Sequence, residues 1–521
     1  MMTSTFHGLE TAKRGLVAQQ TALSVVGHNI ANANTLGYSR QRVNQTAGAA
    51  YPSPGLNRAQ MAGQLGTGVQ AESIQRIRDH FLDAQYRNES SKLGYYGTAH
   101  NVMTEIEGVM NELDDTGLAN SIDTFWQSLQ DLAANSVNAG AKAIVRERGI
   151  ALAGTFNYLS ESLQMVRSNL ESELQVTVKE INGLLEGIDN LNKQIDLVEP
   201  NGALPNDLYD ARDNLIDELS GKLSIKVEYV SNGGNASAQA AGTAVIHFLN
   251  GTESTTTLVD KAGYSVISVT QAGDDSAVDT VIIGDSAIAA SDFVSKGKLL
   301  AMMEGYGYMD ADGNVKGEVT DMMQELDQMA FIFATEFNKV HKAGLSVNEI
   351  SYGNTDTLFF SEEDGGSEPA DAKGFAGRIQ VADAIIDSID NLATATTSSP
   401  IKGDGANVLN LANVIYAEFN YKDAGGNDSP TVEKSSLIGY LQKVIGEMGG
   451  KTQTADRLSS NSETLLQSVL DKRSSVSGVS LDEEMTNLVQ FQQAYNASAR
   501  MVTLLDECLD RIINGLGLGG R

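Results

Sequence analysis

The chain closes on Ser480-Leu481-Asp482-Glu483-Glu484-Met485-Thr486-Asn487-Leu488-Val489-Gln490-Phe491, a stretch that continues to Ile513 with neither proline nor glycine. Ser480 as cap and Glu483 three residues on form the pattern that satisfies two orphan amide donors at a helix start. Read in sevens, one stripe runs Leu481, Leu488, Tyr495, Val502, Leu509 and a second runs Glu484, Phe491, Ser498, Leu505, Ile512. These are the core positions of a coiled coil, which requires a partner. From Met501 to Ile513 the apolar face widens, because Met501, Leu504 and Cys508 fall outside that seam. A helix apolar over so much of its circumference is covered on several sides, so other parts of the chain or other molecules must supply the cover. Cys508 reads as a packed side chain, since an unpaired cysteine usually behaves as a small hydrophobe.

A matching helix stands at the opposite end. Leu9, Leu16, Leu23 and Ile30 repeat every seven residues, with Ala12, Val26 and Ala33 alongside, and Gly8, Gly15 and Ala22 draw a line of small residues that lets another backbone approach. Lys13, Arg14, Arg40 and Arg42 face the acidic Asp482, Glu483, Glu484, Asp506, Glu507 and Asp510 across the proposed pairing. Exposed ion pairs are individually weak, so these charges choose the partner more than hold it. Asn29, Asn32, Asn34 and Gly37 then stop the first helix, and Pro52 and Pro54 mark an extended connector with a short strand pair up to about Gly68.

Between the ends the pattern is mostly helical. Helix is expected from about Ile74 to Glu112, through Asn120 to Val198, where the second apolar run, Leu163 to Ile195, is too long for an ordinary globular helix, and again over Asp207 to Leu219. From Ile225 to about Ile288 the period shifts to two, with Gly and Asn clusters between runs, which predicts a small β-rich module. Helix returns over Lys298 to Met303 and Asp321 to Lys342. A polar, Gly-rich stretch from Leu345 to about Gly377 follows, with room for a short hairpin. Two further helices are expected, Ser435 to Glu447 and about Leu458 to Ser475. The fold class is mainly α with inserted β: an elongated, nested, multi-domain chain with terminal coiled-coil helices, a helical-bundle body and a β-rich outer domain. The expected parts are 1–68 with 480–521 as the coiled-coil region, 69–224 with 292–344 and 430–479 as the body, 225–291 as the β domain and 345–429 as a variable polar insertion.

Composition narrows the function. The 521 residues carry 37 Lys+Arg against 67 Asp+Glu, a formal net charge of -30, which opposes binding to nucleic acid or to an acidic membrane surface. No run is long and apolar enough for a membrane helix, and Met1 to Gln20 lacks a signal-peptide core. One cysteine excludes an intrachain disulfide. The six histidines are scattered; Gly446 to Thr452 falls one residue short of a phosphate-binding loop; Asp310, Asp312 and Asn314 start like a calcium loop but lack its glycine and its closing glutamate. The Gly515 to Gly520 run follows a helix rather than a strand and reads as a flexible tail. No catalytic, cofactor or metal site is expected. Of three readings, a polymerising structural protein, a secreted enzyme on a helical scaffold and a soluble binding module, only the first explains apolar heptads at both chain ends, where monomers usually fray.

His28-Asn29-Ile30-Ala31-Asn32-Ala33-Asn34-Thr35-Leu36-Gly37-Tyr38-Ser39-Arg40-Gln41 resembles the N-terminal signature of bacterial flagellar axial proteins, and its Tyr-Ser-Arg-Gln ending is similar to their hook-associated branch. The Ser480 to Arg500 stretch resembles the C-terminal signature of the same family, and Ala211 to Leu219 and Phe337 to Gly344 agree at two inner points. Leu36 stands where many members have proline. That departure loosens the turn, and the middle segments carry no matching motif.

The resemblance implies a non-catalytic subunit of the flagellum, extracellular, exported without a cleaved signal peptide, that forms the layer joining hook to filament. Its partners would be copies of itself, the hook protein, a second hook-associated junction protein and an export chaperone on the C-terminal helix. The assembly interface would comprise Leu9, Leu16, Leu23, Ile30, Leu481, Leu488, Tyr495, Val502, Leu505, Leu509 and Ile512, with Asn29, Asn32, Asn34, Gly37 and Tyr38 as the family motif. The alternatives are another axial protein, hook or rod, or a non-flagellar secreted helical binding protein.

Overall fold

The computed structural model describes residues 5–51, 65–110, 117–251, 253–272, 277–352, 356–362, 367–396, 403–421 and 434–515. Pro52, Pro54 and the glycine-rich tail beyond Gly515 lie outside them. In chain order, α1 (Thr5–Ala31) turns into β1 (Gln41–Ala47), which pairs antiparallel with β2 (Val69–Arg76). Four helices follow: α2 (His80–Met110), α3 (Leu118–Ala134), α4 (Ala139–Val198) and α5 (Asn206–Lys222). Strands β3 (Ile225–Val230), β4 (Thr243–Asn250) and β5 (Glu253–Val259) make a three-stranded antiparallel sheet. A second sheet holds β6 (Ile267–Ala272), β7 (Ala277–Ile283) and β8 (Ser286–Ala289). After α6 (Lys298–Tyr306) it gains β9 (Tyr308–Met309), which runs parallel to β7, and β10 (Val315–Lys316). Then come α7 (Glu318–Ala343), β11 (Gly344–Ser346), α8 (Val347–Tyr352), β12 (Phe360–Ser361), β13 (Gln380–Val381), α9 (Asp383–Asp387), β14 (Ala393–Thr396), α10 (Ala406–Val414), α11 (Leu437–Ser477) and α12 (Leu481–Gly515).

The 60-residue α4 is the beam of the molecule, roughly 90 Å long at 1.5 Å per residue. Its start is capped by the Asn138 side chain, which accepts from the Gly140 and Ala141 amides, and its end meets Pro200 and the left-handed Gly202 at φ 85°. Leu152, Phe156, Leu159, Leu163, Leu170, Leu174, Ile181, Leu185, Ile188 and Ile195 recur three, four or seven apart and are buried, so one face is core along nearly the whole length. The fold is mainly α with small inserted sheets, and α1 returns along α12, bringing both chain ends together.

Four expectations change. Ile74 belongs to β2, because its backbone pairs with Val43 of β1, and α2 starts only at His80. The single β module is two sheets, and the second reaches past α6 for β9 and β10, a pairing with no sequence period of its own. The break expected between Glu447 and Leu458 is absent. α11 runs unbroken for 41 residues through Gly446, Gly449 and Gly450, whose helix penalty of about 1 kcal/mol each is outweighed by packing of Leu441, Val444, Met448 and Val469 in buried positions.

The stretch read as a polar insertion instead supplies aromatic core. Phe359 and Phe360 are fully buried against Phe125 of α3 and Phe333 and Phe337 of α7, with ring centroids 4.8 to 6.1 Å apart. Two adjacent aromatics inside a polar, glycine-rich segment show no helical or strand period, which is why the pattern misses them.

Candidate assembly surface and its socket

α1 and α12 lie antiparallel. A Cβ at Gly8 would stand 3.4 Å from Leu505, one at Gly15 3.2 Å from Ser498 Oγ, and Asn29 Nδ2 donates to Glu484 Oε2 at 3.2 Å. On α1 the seam therefore follows Gly8, Gly15, Ala22 and Asn29, with Ala18, Val25 and Val26 also buried. It runs one position before the leucine stripe, and Leu9, Leu16, Leu23 and Ile30 sit half-buried on its flank. Small residues let the axes come close, and the neighbouring leucines then close the side of the groove. On α12 the inward residues are those of the two expected stripes: Leu488, Tyr495, Val502, Leu505 and Leu509 are half-buried, while Leu481 and Ile512, at the ends, are 50% and 44% exposed. Cys508 is exposed rather than packed, because α1 covers only the seam side of α12.

The predicted charge pairing narrows to one arginine. Arg40 Nη1 contacts Glu483 at 2.6 Å and its Nε contacts Glu484 at 2.8 Å, so the Glu483 carboxylate serves Arg40 rather than the helix cap. Arg14 pairs within its own helix with Glu10. Asp482, Asp506, Glu507 and Asp510 are exposed.

The motif after α1 is a socket that fixes where the pair leaves the body. Asn29 Oδ1 accepts from the Gln41 amide at 3.0 Å and from Tyr38 Oη at 2.8 Å, and its Nδ2 donates to the Gln41 carbonyl at 2.9 Å. Asn32 donates to the His28 carbonyl and accepts from Thr35 Oγ1, tightening the turn. Gly37 is left-handed at φ 75°, and a Cβ there would lie 1.8 Å from Asn214 Oδ1. Asn34 and Leu36 are exposed, Leu36 at 95%. Burial, with Asp210, Asp207 and Glu484 nearby, raises the Tyr38 hydroxyl above its ordinary range, so it stays protonated and donating.

Beneath the socket lies a buried charge network that periodicity does not reveal. On α5, Asp210 and Asp213 both meet Arg76, at 2.7 and 2.9 Å; Asp213 also meets Arg78 at 3.2 Å. Arg78 reaches Asp83 at 2.7 Å, Arg87 reaches Asp217 at 2.8 Å, and Arg473 of α11 bridges Asp83 and Asp217 at 3.1 and 2.7 Å. Burial alone would raise the Asp213 carboxyl, but the guanidinium groups of Arg78, Arg76, Arg212 and Arg87 hold it well below the usual carboxylate range. The Ser39 amide and Gln41 side chain join the same helix through Asp210 and Asp207. The available signal was the run Asp210, Asp213, Asp217, three acids on one helical face.

The second inner segment is also a clamp. Asn338 accepts from the Phe359 and Phe360 amides at 3.0 and 2.9 Å and donates to the Phe360 carbonyl at 2.7 Å. His341 donates from Nδ1 to the Thr357 carbonyl and accepts at Nε2 from the Ala393 amide. Burial lowers its pKa, keeping the neutral tautomer that both bonds require. Gly446 to Thr452 lies inside α11, and the Asp310 turn is closed by the Asp312 and Asn314 amides and by Lys316 Nζ at 3.1 Å. Among the described residues no group of three or more His, Cys, Asp or Glu could hold a metal ion.

The antiparallel end helices join the helical body through a buried socket, and matches to known families give the class of protein. Residues 9–38 match the family described as flagella basal body rod protein, and residues 472–515 the C-terminal family of flagellar basal body rod FlgEFG proteins; the class is that of flagellar axial proteins. Residues 103–360 match the helical domain of flagellar hook-associated protein FlgK. Flagellar hook-associated protein 1 of Bacillus subtilis (strain 168) is 48% identical over 100% of both chains, and that of Salmonella typhimurium (strain LT2) is 25% identical over 96% of this chain and 98% of its own. The chain belongs to the flagellar hook-associated protein 1 family, and it is a structural component of the bacterial flagellum. The flagellar hook junction protein FlgK of Burkholderia pseudomallei shares its fold, with a TM-score of 0.57 at 15% identity over 77% of this chain and 100% of that one.

Proposed function

We propose that this chain is a non-catalytic subunit that polymerises through its terminal helices into the layer between hook and filament. The observation that carries the reading is the incomplete burial of the α1–α12 pair: Phe6, Val17, Met485, Val489, Met501, Leu504, Ile512 and Ile513 stay 44% to 73% exposed on either side of a filled seam. Apolar surface of this kind marks an interaction site. Leu9, Leu16, Leu23 and Ile30, half-buried beside the seam, would complete their burial against neighbouring copies, as would Leu481, Leu488, Tyr495, Val502, Leu505, Leu509 and Ile512. The socket residues Asn29, Asn32, Gly37 and Tyr38, with Asn34 on its outer turn, would set the angle at which the pair enters the layer.

The partners are further copies, the hook protein on one side and a second hook-associated protein on the other. Before assembly the exposed far half of α12 is the handle for an export chaperone, and the chain leaves the cell through the flagellar export path without a cleaved signal. No helix among the described residues is long and apolar enough to cross a membrane. Folding on binding commonly costs ~2–5 kcal/mol of ordering, which holds free subunits back until neighbours bury the helices. Deleting the gene should leave hooks without attached filaments and flagellin lost to the medium. Cells lacking hooks would instead mark a hook or rod subunit.

A further inference from the structure

α12 carries two apolar triads that α1 leaves uncovered: Leu481, Met485 and Val489 at 50%, 54% and 52% exposure, and Met501, Leu504 and Ile512 at 51%, 53% and 44%. The seam fixes the heptad, with Leu488, Tyr495 and Val502 at a and Phe491, Ser498 and Leu505 at d. Met485 and Val489 are then e and b, on the a side, whereas Met501 and Leu504 are g and c, on the d side. Leu481 prolongs the first triad as a terminal a, and Ile512 the second as a terminal d. The triads thus occupy opposite flanks, and their centres are about 21 residues apart, three heptads or roughly 30 Å along the axis.

We propose that a second copy of this chain covers the triads, lying parallel with its α12 displaced by three heptads, so that the Leu481–Met485–Val489 flank of one copy seats on the Met501–Leu504–Ile512 flank of the next. A whole number of heptads keeps the two frames in phase: Met485 falls between Leu504 and Cys508, and Val489 between Cys508 and Ile512. Charge fits the same register. Asp482, exposed beside the first triad, comes within one turn of the exposed Arg500 of the neighbour. Contact between unlike patches is heterologous, so it propagates from copy to copy and does not close into a pair. The proposal rests on assembly through the terminal helices and adds to it the pairing and the stagger.

The chain's single cysteine, exposed Cys508, tests it in flagella isolated from cells whose only copy is the variant. Under copper-phenanthroline oxidation, Met485→Cys and Val489→Cys should each give a ladder of two, three and more linked subunits, whereas Asn496→Cys, one heptad along the same flank, should not. A ladder from Asn496→Cys alone, no ladder from incorporated Met485→Cys and Val489→Cys, or dimers formed by the unmodified chain through Cys508 would each overturn the register. Independently, Asp482→Arg and Arg500→Asp should each reduce incorporation, by about 1.4- to 5-fold, and the double variant should restore it. Singles that incorporate normally, or a double that stays defective, would refute the contact while leaving the junction reading intact; absence of the unmodified chain from flagella would refute the junction reading itself.

Discussion

Asp213 shows how much a single side chain decides. It is fully buried, and its value depends on the guanidinium groups gathered round it. Removing one member of such a network leaves charge uncompensated, so Asp213→Ala should cost roughly 3–5 kcal/mol in urea unfolding. Because its folded pKa is depressed, this stabilisation is complete above the ordinary carboxylate range and is lost as the pH falls below it. Glu325 on α7 has the opposite sign. Burial, with Glu447 and Asp321 adding to it, pushes its carboxyl up to about 7, so its contribution is best below the ordinary range and is lost as the pH rises towards neutrality. Glu325→Gln should therefore raise the melting temperature at pH 8, by the equivalent of about 1–3 kcal/mol, and leave it nearly unchanged at pH 5.

At the scale of elements, α11 tests how far packing overrides propensity. A Cβ at Gly446 meets nothing within 4 Å, so Gly446→Ala should stabilise the helix by about 0.5–1 kcal/mol in thermal unfolding, with no loss of fold. The terminal pair is built the other way, with its glycines in contact and its leucines at the edge. Replacing Leu488 and Leu505 with Asp puts two charges on the α12 seam. The expected result is loss of incorporation into flagella with the melting transition of the body unchanged; normal incorporation would show that this seam is not needed for assembly.

For the whole molecule, burial is unequal. The body holds a continuous core from α2 to α11, while the end helices share one narrow seam. In the free subunit, the two end helices, residues 5–31 and 481–515, should be cleaved first by protease and exchange amide hydrogens fastest, since few buried contacts oppose local opening. Strong protection of both ends in a verified monomer would contradict assembly-coupled ordering.

The sequence by itself determined most of the helical stretches of the body, the two end helices, the seam of α12 and the motif turn, because heptad spacing and turn residues are local signals. It also determined the family, through the segments at both ends and at two inner points. Only the tertiary structure decided that α1 meets α12 through Gly8, Gly15 and Ala22 rather than through its leucines, since closeness of approach is set by the pair and not by either helix. Tertiary contacts likewise recruited Phe359 and Phe360 into the core, carried α11 through its glycines, and gathered Arg76, Arg78, Arg87 and Arg473 around Asp83, Asp213 and Asp217. A charge network drawn from β2, α2, α5 and α11 has no period along the chain. Its members become neighbours only when those elements fold against one another.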